Sequence, residues 1–308
     1  MNIVHSLIVG TLPFVPKSLV RIFSSRYVAG ETLAEALAVV RGLNREGCMA
    51  TLDVLGEDVT RLEETEETVD EYVRALDAIA REGLDSNVSV KLTAFGLKID
   101  PERCRRQFGR VLAAAARHNT FVRIDMEDSS VTEETIRIYF ETRQRTEKSG
   151  VVLQAYLRRS REDAKRVATD EGRGKGNGKG NVRVCKGIYI EPPEIAYQGR
   201  EEIRDNYAAL VDDLLEAGSY VGIATHDEVL VERALATIER LRLPREAYEF
   251  QMLLGVAGDL RRRLVAAGHR LRVYVPYGRS WYGYSMRRLK ENPAIAGHIV
   301  RNLFSRRD

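Results

Sequence analysis

One predicted helix face near the C-terminus carries the residues best suited to binding chemistry: Tyr284, Arg287, Arg288 and Glu291. Their spacing of i, i+3, i+4 and i+7 places these side chains on one side of a helix. Two adjacent guanidinium groups offer forked donors that match a carboxylate, and Glu291 is one turn beyond Arg287, where it can hold that arginine. We therefore predict a clamp for a small anion. The alternative is a solvent-exposed face with one weak ion pair between Arg287 and Glu291.

Polar residues that recur along the chain form the second candidate group. They are Lys91, Asp125, Gln154, Arg183, Thr225, Gln251 and Tyr274, at separations of 23 to 42 residues. Three more polar residues follow two of these positions closely, namely Lys186, Tyr189 and His226. Taken singly, each would usually cap a turn or meet solvent. Their regular recurrence instead predicts one shared site, because charged groups buried inside a fold are costly unless they are paired or bind a ligand.

Eight runs rich in β-branched and aromatic residues must position these side chains. They cover residues 49–55, 88–92, 121–126, 151–156, 182–188, 220–224, 248–253 and 271–275. Between them lie amphipathic stretches such as 31–46, 66–82, 133–148 and 207–217, which we expect to end at Gly47, Gly83, Gly150 and Gly218. This alternation predicts an α/β fold, a (βα)8 TIM-type barrel with extra N-terminal helices. An open doubly wound sheet is the second choice.

The barrel prediction also gives a domain organisation. We expect residues 1–46 to form an N-terminal helical region packed on a catalytic barrel at 47–308, in a single domain overall. The apolar stretch at 3–15 is short and broken by Gly10 and Pro13, which predicts a packed helix, with a peripheral membrane contact as the alternative. The glycine-rich tract at 171–181 lacks the GK[ST] ending of a phosphate-binding loop, so we interpret it as a solvated surface loop.

Composition narrows the classes of partner. The formal net charge is +3, from 48 basic and 45 acidic residues, which does not favour a nucleic-acid partner. From residue 270 onward, nine Lys or Arg residues against two acidic ones give a local net charge of +7, which indicates contact with an anion. Cys48, Cys104 and Cys185 contain no CxxC pair, so we expect neither a disulfide framework nor a zinc site, and a cytoplasmic location.

Eight segments resemble those of the proline dehydrogenase family, in the family's order. They are SVKLT at 89–93, VRIDMED at 122–128, LQAYLRRS at 153–160, VRVCKGIYIE at 182–191, IATHDE at 223–228, YEFQMLLG at 248–255, RVYVPYG at 272–278 and YSMRRLKEN at 284–292. The resemblance runs over about residues 51–302, and the paired arginines within YxxRRxxE are its most specific mark. It implies a (βα)8 barrel that carries FAD without a Rossmann motif and oxidises L-proline to Δ1-pyrroline-5-carboxylate by hydride transfer to the flavin.

The resemblance also implies a role for each candidate residue. Those implied to hold the proline carboxylate are Lys91, Arg287 and Arg288, with Glu291 orienting Arg287. Those implied to wall the apolar ring are Tyr189, Leu253, Tyr274 and Tyr284. Those implied to contact the cofactor are Gln154, Arg183, Lys186, Thr225 and His226, with Arg183 donating near the reactive flavin nitrogen. Asp125 is similar to a family position beside the substrate lysine, where it would pair with Lys91.

Partners follow from the same resemblance. It implies L-proline as substrate, a quinone or another electron acceptor, a transient contact with the inner membrane, and a separate pyrroline-5-carboxylate dehydrogenase downstream. Ile188 and Cys185 depart from the residues usual in the family, Ala and Val, without removing a functional group. Two other functions remain open at this point: a Schiff-base aldolase that uses Lys91, and an anion- or nucleic-acid-binding module that uses the basic C-terminal region.

Overall fold

The structure, a computed structural model, describes residues 20–21, 24–56, 59–169 and 179–291, with the backbone alone at 287–291. Its strands are β1 Met49–Val54, β2 Ser86–Val90, β3 Val122–Ile124, β4 Ser149–Gln154, β5 Asn181–Cys185, β6 Tyr220–Ala224, β7 Tyr248–Leu253 and β8 Leu271–Tyr277. They pair in parallel and in chain order, and β8 pairs back onto β1 to close a barrel. The predicted (βα)8 barrel is therefore confirmed, and the open doubly wound sheet is wrong.

Helices alternate with the strands. In the described ranges they are α1 Leu33–Arg45, α2 Glu63–Arg81, α3 Pro101–Arg117, α4 Thr132–Arg143, α5 Ser160–Ala168, α6 Arg200–Glu216, α7 Glu228–Arg240, α8 Gly258–Ala266 and α9 Trp281–Glu291. Short 3-10 turns lie at Leu92–Phe95, Ser129–Val131 and Arg245–Ala247. Helix α1 precedes the barrel and contacts both β1 and β8. The proposed boundary between 46 and 47 stays a prediction.

Local sequence explains where two of these helices begin. Thr32 and Glu35 form a capping box at α1, in which each side chain accepts a hydrogen bond from the backbone N–H of the other, at 3.3 Å and 2.9 Å. Asp100 caps α3 by accepting from the backbone N–H of Arg103 at 2.9 Å, and Pro101 occupies the first turn. The segment between β2 and α3 follows the C-terminal end of β2, so it lies at the C-terminal mouth of the barrel.

Each strand presents an apolar face to the helices and a more polar face to the barrel interior. Val88 and Val90 of β2 and Val273 of β8 belong to the main hydrophobic core. Arg183 on β5 instead forms hydrogen bonds across the interior with side chains of β2 and β7 and with Asp125, which directly follows β3. Barrels of this class usually fill the interior with branched apolar side chains, so the charged interior is a departure from the common pattern.

Glycines behave as predicted at three of four positions. Gly47, Gly83 and Gly218 follow helices with φ angles of 77°, 61° and 75°, values that favour glycine. The prediction for Gly150 is wrong, because α4 ends at Arg143 and Gly150 lies within β4. A Cβ at Gly150 would lie 2.2 Å from Nη1 of Arg123, so glycine is needed there to admit an arginine into the barrel.

Two of the sequence predictions concern segments that lie mostly outside the described residues. The predicted helix at 3–15 and residues 171–178 of the glycine-rich tract lie outside the described residues. At the end of that tract, Asn181 belongs to β5, and its backbone carbonyl accepts a hydrogen bond from Arg123 at 2.8 Å. Its final residue is therefore part of the barrel and not of a surface loop. No helix in the described ranges has the length and apolar character needed to cross a membrane.

Candidate active site

A cavity of about 400 Å³ lies at the C-terminal ends of the strands. Its lining includes most of the predicted site residues: Lys91, Asp125, Gln154, Arg183, Lys186, Tyr189, Thr225, His226, Leu253, Tyr274 and Tyr284. The closed barrel thus brings together side chains that are far apart in the sequence. The chemical role of each stays a prediction.

Arg183 and Asp125 form the centre of the cavity floor. Nη1 of Arg183 donates to Oδ1 of Asp125 at 2.6 Å and to Oγ of Ser89 at 3.2 Å. Ser89 in turn donates to the same carboxylate oxygen at 2.5 Å, and the hydroxyl of Tyr274 donates to Oδ2 of Asp125 at 2.8 Å. Both charged side chains are buried, so this set of donors is what compensates the carboxylate for its lost solvation.

Lys91 lies above this pair, beside a carboxylate that was not predicted. Its Nζ is 2.8 Å from Oδ1 of Asp53, 3.2 Å from the hydroxyl of Tyr274 and 3.8 Å from Oδ2 of Asp125. The expected partner Asp125 is therefore within ion-pair distance, but Asp53 is nearer. Tyr72 of α2 reaches the same buried group, with its hydroxyl 3.4 Å from Oδ1 of Asp53. Lys91 is thus held between two carboxylates.

Burial and neighbouring charges affect the two carboxylates in opposite directions. Burial raises the pKa of Asp53, and Lys91 offsets this effect only in part. Burial also works against the charged form of Asp125, but Arg183 and Lys91, with hydrogen bonds from Ser89 and Tyr274, outweigh it and lower its pKa. Asp125 is therefore a firm anion, whereas Asp53 holds a proton more readily. Such a separation is common where a site handles protons.

The cavity lining also offers hydrogen-bonding groups for a planar polar ligand. Gln154 is buried, and its Nε2 donates to the carbonyl of Met126 at 3.3 Å, while its Oε1 has no partner among the described residues. Nη2 of Arg183 likewise makes no hydrogen bond inside the described ranges. One acceptor and one charged donor in the cavity lining are therefore open to a bound group.

A second ion pair lies at the edge of the cavity. Nζ of Lys186 is 2.6 Å from Oδ2 of Asp227, and Arg204 of α6 donates to both oxygens of the same carboxylate at 2.8 Å and 3.0 Å. Burial opposes the charge of Asp227, but these hydrogen bonds outweigh it and lower its pKa to about 2. Thr225 accepts from the backbone N–H of Asp227 at 3.1 Å. The loop after β6 is thereby tied to the lysine that follows β5.

His226 is fixed by the backbone of the next strand. Its Nε2 accepts a hydrogen bond from the N–H of Leu253 at 2.9 Å, so a neutral ring carries its proton on Nδ1. Leu253, which follows on the same cavity wall, is half-buried. The contact joins the mouths of β6 and β7 and sets the orientation of the imidazole.

Aromatic side chains form the remaining walls. Tyr284 is buried in a small cluster with Val28 and Leu55. Tyr189 packs against a second cluster that contains Tyr156 and Leu157. Both tyrosines line the cavity, Tyr284 from helix α9 after β8 and Tyr189 from the loop after β5.

Only part of the predicted clamp is described. Tyr284, Arg287, Arg288 and Glu291 all lie on α9, as their spacing predicts, and Tyr284 lines the cavity. The side chains of Arg287, Arg288 and Glu291 lie outside the described residues. The carboxylate clamp and the orienting role of Glu291 therefore stay predictions.

The fold and the cavity together define a class of protein. Cationic and hydroxyl groups meet aromatic walls at the C-terminal mouth of a closed (βα)8 barrel, where enzymes of this fold carry out their chemistry. Among the described residues, no group of three or more His, Cys, Asp or Glu side chains is placed to hold a metal ion. This arrangement is that of an enzyme acting on a small organic anion.

Comparisons with known proteins give the family. A family model described as proline dehydrogenase matches residues 36–301. Proline dehydrogenase 1 from Bacillus subtilis subsp. natto is 36% identical over 286 residues, which cover 93% of this chain and 92% of that relative. Proline dehydrogenase from Deinococcus radiodurans is 35% identical over 290 residues, which cover 91% and 89%. The chain belongs to the proline dehydrogenase family.

A solved structure supports the same assignment at the level of the fold. Proline utilization A from Bdellovibrio bacteriovorus, inactivated by N-propargylglycine, matches with a TM-score of 0.80 at 27% identity and covers 87% of this chain. This chain spans 32% of that longer one. The protein is therefore an oxidoreductase that oxidises proline, the first step of proline catabolism. The aldolase and nucleic-acid-binding alternatives are wrong.

Proposed function

We propose that the protein oxidises L-proline to Δ1-pyrroline-5-carboxylate with FAD as its cofactor. The observation that carries this proposal is a pair of cavity groups without a hydrogen-bond partner among the described residues: Oε1 of Gln154, which is buried, and Nη2 of Arg183. The edge of an isoalloxazine ring presents both donors and acceptors, which fits one acceptor and one charged donor on the protein. When bound, FAD supplies the acceptor for the hydride. Lys186, Thr225 and His226 would complete the contacts to the cofactor.

Substrate binding would use a second group of cavity residues. Lys91 offers a cation to the proline carboxylate, together with Arg287 and Arg288 if α9 presents them as its spacing predicts. The apolar ring of proline would lie between the aromatic side chains of Tyr189, Tyr274 and Tyr284 and the side chain of Leu253. A small cyclic amino acid has this combination of one anionic group and one apolar ring.

The protein's part in the reaction is electrostatic. In the neutral amine, a hydride from the ring CH2 next to nitrogen would pass to the flavin, a C=N bond would form between that carbon and nitrogen, and the N–H proton would pass to water. Positive charge on Lys91, and on Arg287 and Arg288 at their predicted places, disfavours the protonated amine. It so favours the neutral amine, which can become an imine. Arg183, beside Asp125, would use its Nη2 to stabilise negative charge on a reduced flavin bound next to it. No side chain has to act as a nucleophile.

An absorption spectrum tests the cofactor and the reaction together. We expect the purified protein to be yellow, and anaerobic addition of L-proline to bleach the visible absorption band of the oxidised flavin. D-proline is the matched control, because it has the same groups in the opposite arrangement. A protein that remains colourless after reconstitution with FAD, or whose flavin is not reduced by L-proline, would contradict the proposal.

We propose further that a quinone takes the electrons, that the product passes to a separate pyrroline-5-carboxylate dehydrogenase, and that the protein is cytoplasmic with transient contact to the inner membrane. Support comes from five exposed aliphatic side chains in the described ranges, which we call the apolar rim: Ile99, Ile188, Ile190, Ile195 and Val229. All five follow the C-terminal ends of strands, after β2, β5 and β6, and Ile188 also lines the cavity. The rim therefore lies on the face where the flavin would be reached.

A further inference from the structure

Gln251 lies between the cavity floor and a second polar group deeper in the barrel. Its Oε1 accepts from Nε of Arg183 at 2.5 Å, and its Nε2 donates to Oε1 of Glu249 at 2.5 Å. Gln251 is almost fully buried, and both of its neighbours are buried as well. It belongs to the recurring polar residues of the strands, yet the cofactor and substrate contacts proposed above do not use it. Its position is that of a link between two charged side chains.

Glu249 is a firmly held anion at the N-terminal end of β7. Nε of Arg272 donates to its Oε1 at 2.8 Å, and the hydroxyl of Tyr220 donates to its Oε2 at 2.8 Å. Arg272 is further tied to the carbonyl of Ala50 at 2.7 Å. Burial works against the charge of Glu249, but Arg272 outweighs it and lowers the pKa to about 2. The carboxylate therefore acts only as an acceptor at neutral pH.

These contacts leave the amide of Gln251 one satisfactory orientation. A carboxylate can only accept a hydrogen bond and a guanidinium can only donate one. The NH2 group of Gln251 must therefore face Glu249, and its oxygen must face Arg183. A flip of the amide would place two acceptors together and two donors together, in a buried region where unmet polar groups are costly.

Gly222 on the neighbouring strand β6 makes room for this link. A Cβ at Gly222 would lie 2.5 Å from Nε2 of Gln251. Any larger residue there would displace the amide. The absence of a side chain at 222 and the amide at 251 are thus two parts of one arrangement.

We propose that Gln251 is a positioning residue for proline oxidation, which fixes the guanidinium of Arg183 so that Nη2 faces the flavin, and that Glu249 fixes Gln251. The inference rests on the proposed FAD-dependent function. With Nε bound to Gln251 and Nη1 bound to Asp125, the guanidinium plane cannot rotate, and its third nitrogen keeps one direction. Without the amide, Arg183 keeps its charge and its bond to Asp125 but loses this restraint.

The first test is Gln251→Leu, which has similar size and no hydrogen-bonding groups. We expect kcat to fall about tenfold, as for the loss of one hydrogen bond to a charged group, and the flavin midpoint potential to become more negative. KM for proline should stay within about twofold, because the carboxylate is held elsewhere. FAD content should stay at the wild-type level. Gly222→Ala displaces the amide without removing it. It should also lower kcat and make the flavin potential more negative, and it replaces Gln251→Leu as the test if that variant does not fold.

The matched control is Gln107→Leu. Gln107 is also a buried glutamine that donates to a carboxylate at 2.5 Å, from α3 to Glu66 of α2, outside the barrel interior. Its substitution should lower the melting temperature without moving the flavin potential. If Gln251→Leu and Gly222→Ala retain the wild-type potential and kcat, or change only in stability as the control does, the positioning role is wrong.

The contribution of Glu249 needs a separate variant, since its removal alone would leave Arg272 unpaired. Glu249→Gln with Arg272→Gln neutralises both partners and lets the Gln251 amide flip. We expect the potential to shift in the same direction as in Gln251→Leu, and an unchanged potential would remove Glu249 from the proposal. If wild-type protein binds no FAD, the proposed cofactor itself fails; a flavin that binds and is reduced by proline, with no effect of these variants, overturns the positioning role alone.

Discussion

Lys91 shows how much at the residue level depends on neighbours that the sequence does not reveal. A lysine next to a strand end is most often solvated, and its burial between Asp53, Asp125 and the hydroxyl of Tyr274 changes its chemistry. These three groups hold its Nζ at one place. A fixed cation can bind a carboxylate without first losing conformational freedom.

Lys91→Met should therefore weaken substrate binding. We expect KM for proline to rise by about ten- to a hundredfold, the range for the loss of one charge-assisted contact, while FAD content remains at the wild-type level. Steady-state kinetics and the ratio of flavin to protein absorbance measure both. Lys98→Met is the control, because Lys98 lies on the same face and pairs with Asp128 at 2.7 Å, away from the cavity lining. An unchanged KM in Lys91→Met would exclude Lys91 from substrate binding.

Most of the cavity residues could be predicted because they recur at strand ends, where one barrel mouth collects them. Asp53 is absent from the predicted site, since it stands within an apolar run and becomes important only when β1 lies between β2 and β8. Glu249 and Arg272 are absent too, because they lie toward the N-terminal ends of their strands, where barrel chemistry is not expected. The predicted role of Arg287 and Arg288 depends on their helical spacing and on the family resemblance.

At the level of elements, β7 and β8 carry an internal ion pair that the barrel has to shield. Glu249 and Arg272 face each other from these two adjacent strands with almost no exposed side-chain surface. Such a pair is costly to assemble and costly to break, since the removal of either partner leaves a buried charge. We expect it to make the barrel sensitive to acid.

The pH dependence follows from the pKa of Glu249, which is lowered from 4.5 to about 2. Below about pH 4.5 the unfolded chain binds a proton at this position and the folded chain does not, so stability falls as the pH falls toward 2. Linkage gives a loss of roughly 2 kcal/mol by pH 3 from this group, while stability near neutral pH keeps the full contribution. Urea unfolding at several pH values measures it.

The double variant Glu249→Gln with Arg272→Gln serves as the reference for this prediction. Other carboxylates with lowered pKa, such as Asp227, contribute equally to both proteins and cancel in the comparison. We expect the variant to lose less stability than the wild type between about pH 5 and pH 3. Parallel curves would show that the Glu249 pair does not control acid unfolding.

Element types could be predicted more securely than their ends. Strands β6 and β7 begin and end as the sequence pattern indicates. The end of α4 is wrong by several residues, because the glycine expected to stop it serves a different purpose: Gly150 admits Arg123 into the barrel. A glycine that makes space looks the same in a sequence as a glycine that ends a helix.

For the whole molecule, the apolar rim bears on contact with a membrane. Its five aliphatic side chains are exposed on one face of the described structure, with Ile190 entirely so. Transfer of one exposed isoleucine into an apolar phase is worth about 2 kcal/mol, so even partial insertion of several would give weak, reversible binding to a lipid surface. That surface is where a membrane quinone would be met.

Ile190→Asp should reduce binding to neutral phosphatidylcholine vesicles about tenfold, a cautious fraction of the full transfer energy. Co-sedimentation measures it, and the rate of reduction of a vesicle-bound quinone should fall in parallel. Asn119→Asp is the control, because Asn119 is exposed between α3 and β3 at the other end of the barrel and gains the same charge. If the wild type does not bind these vesicles, or both variants bind equally, the rim has no role in membrane contact.

The charged barrel interior described above also affects how the chain can fold. The partners of Arg183 lie on β2, on β7 and directly after β3, so neither the first four strands nor the last four can satisfy it alone. A half-barrel of this chain would leave charged side chains exposed or without their partners. A half-barrel with an apolar interior could instead retain a partial core. We expect closure to be cooperative, with no stable fragment that ends between β4 and β5. The groups that prepare the site for chemistry thereby make the whole barrel a single folding unit.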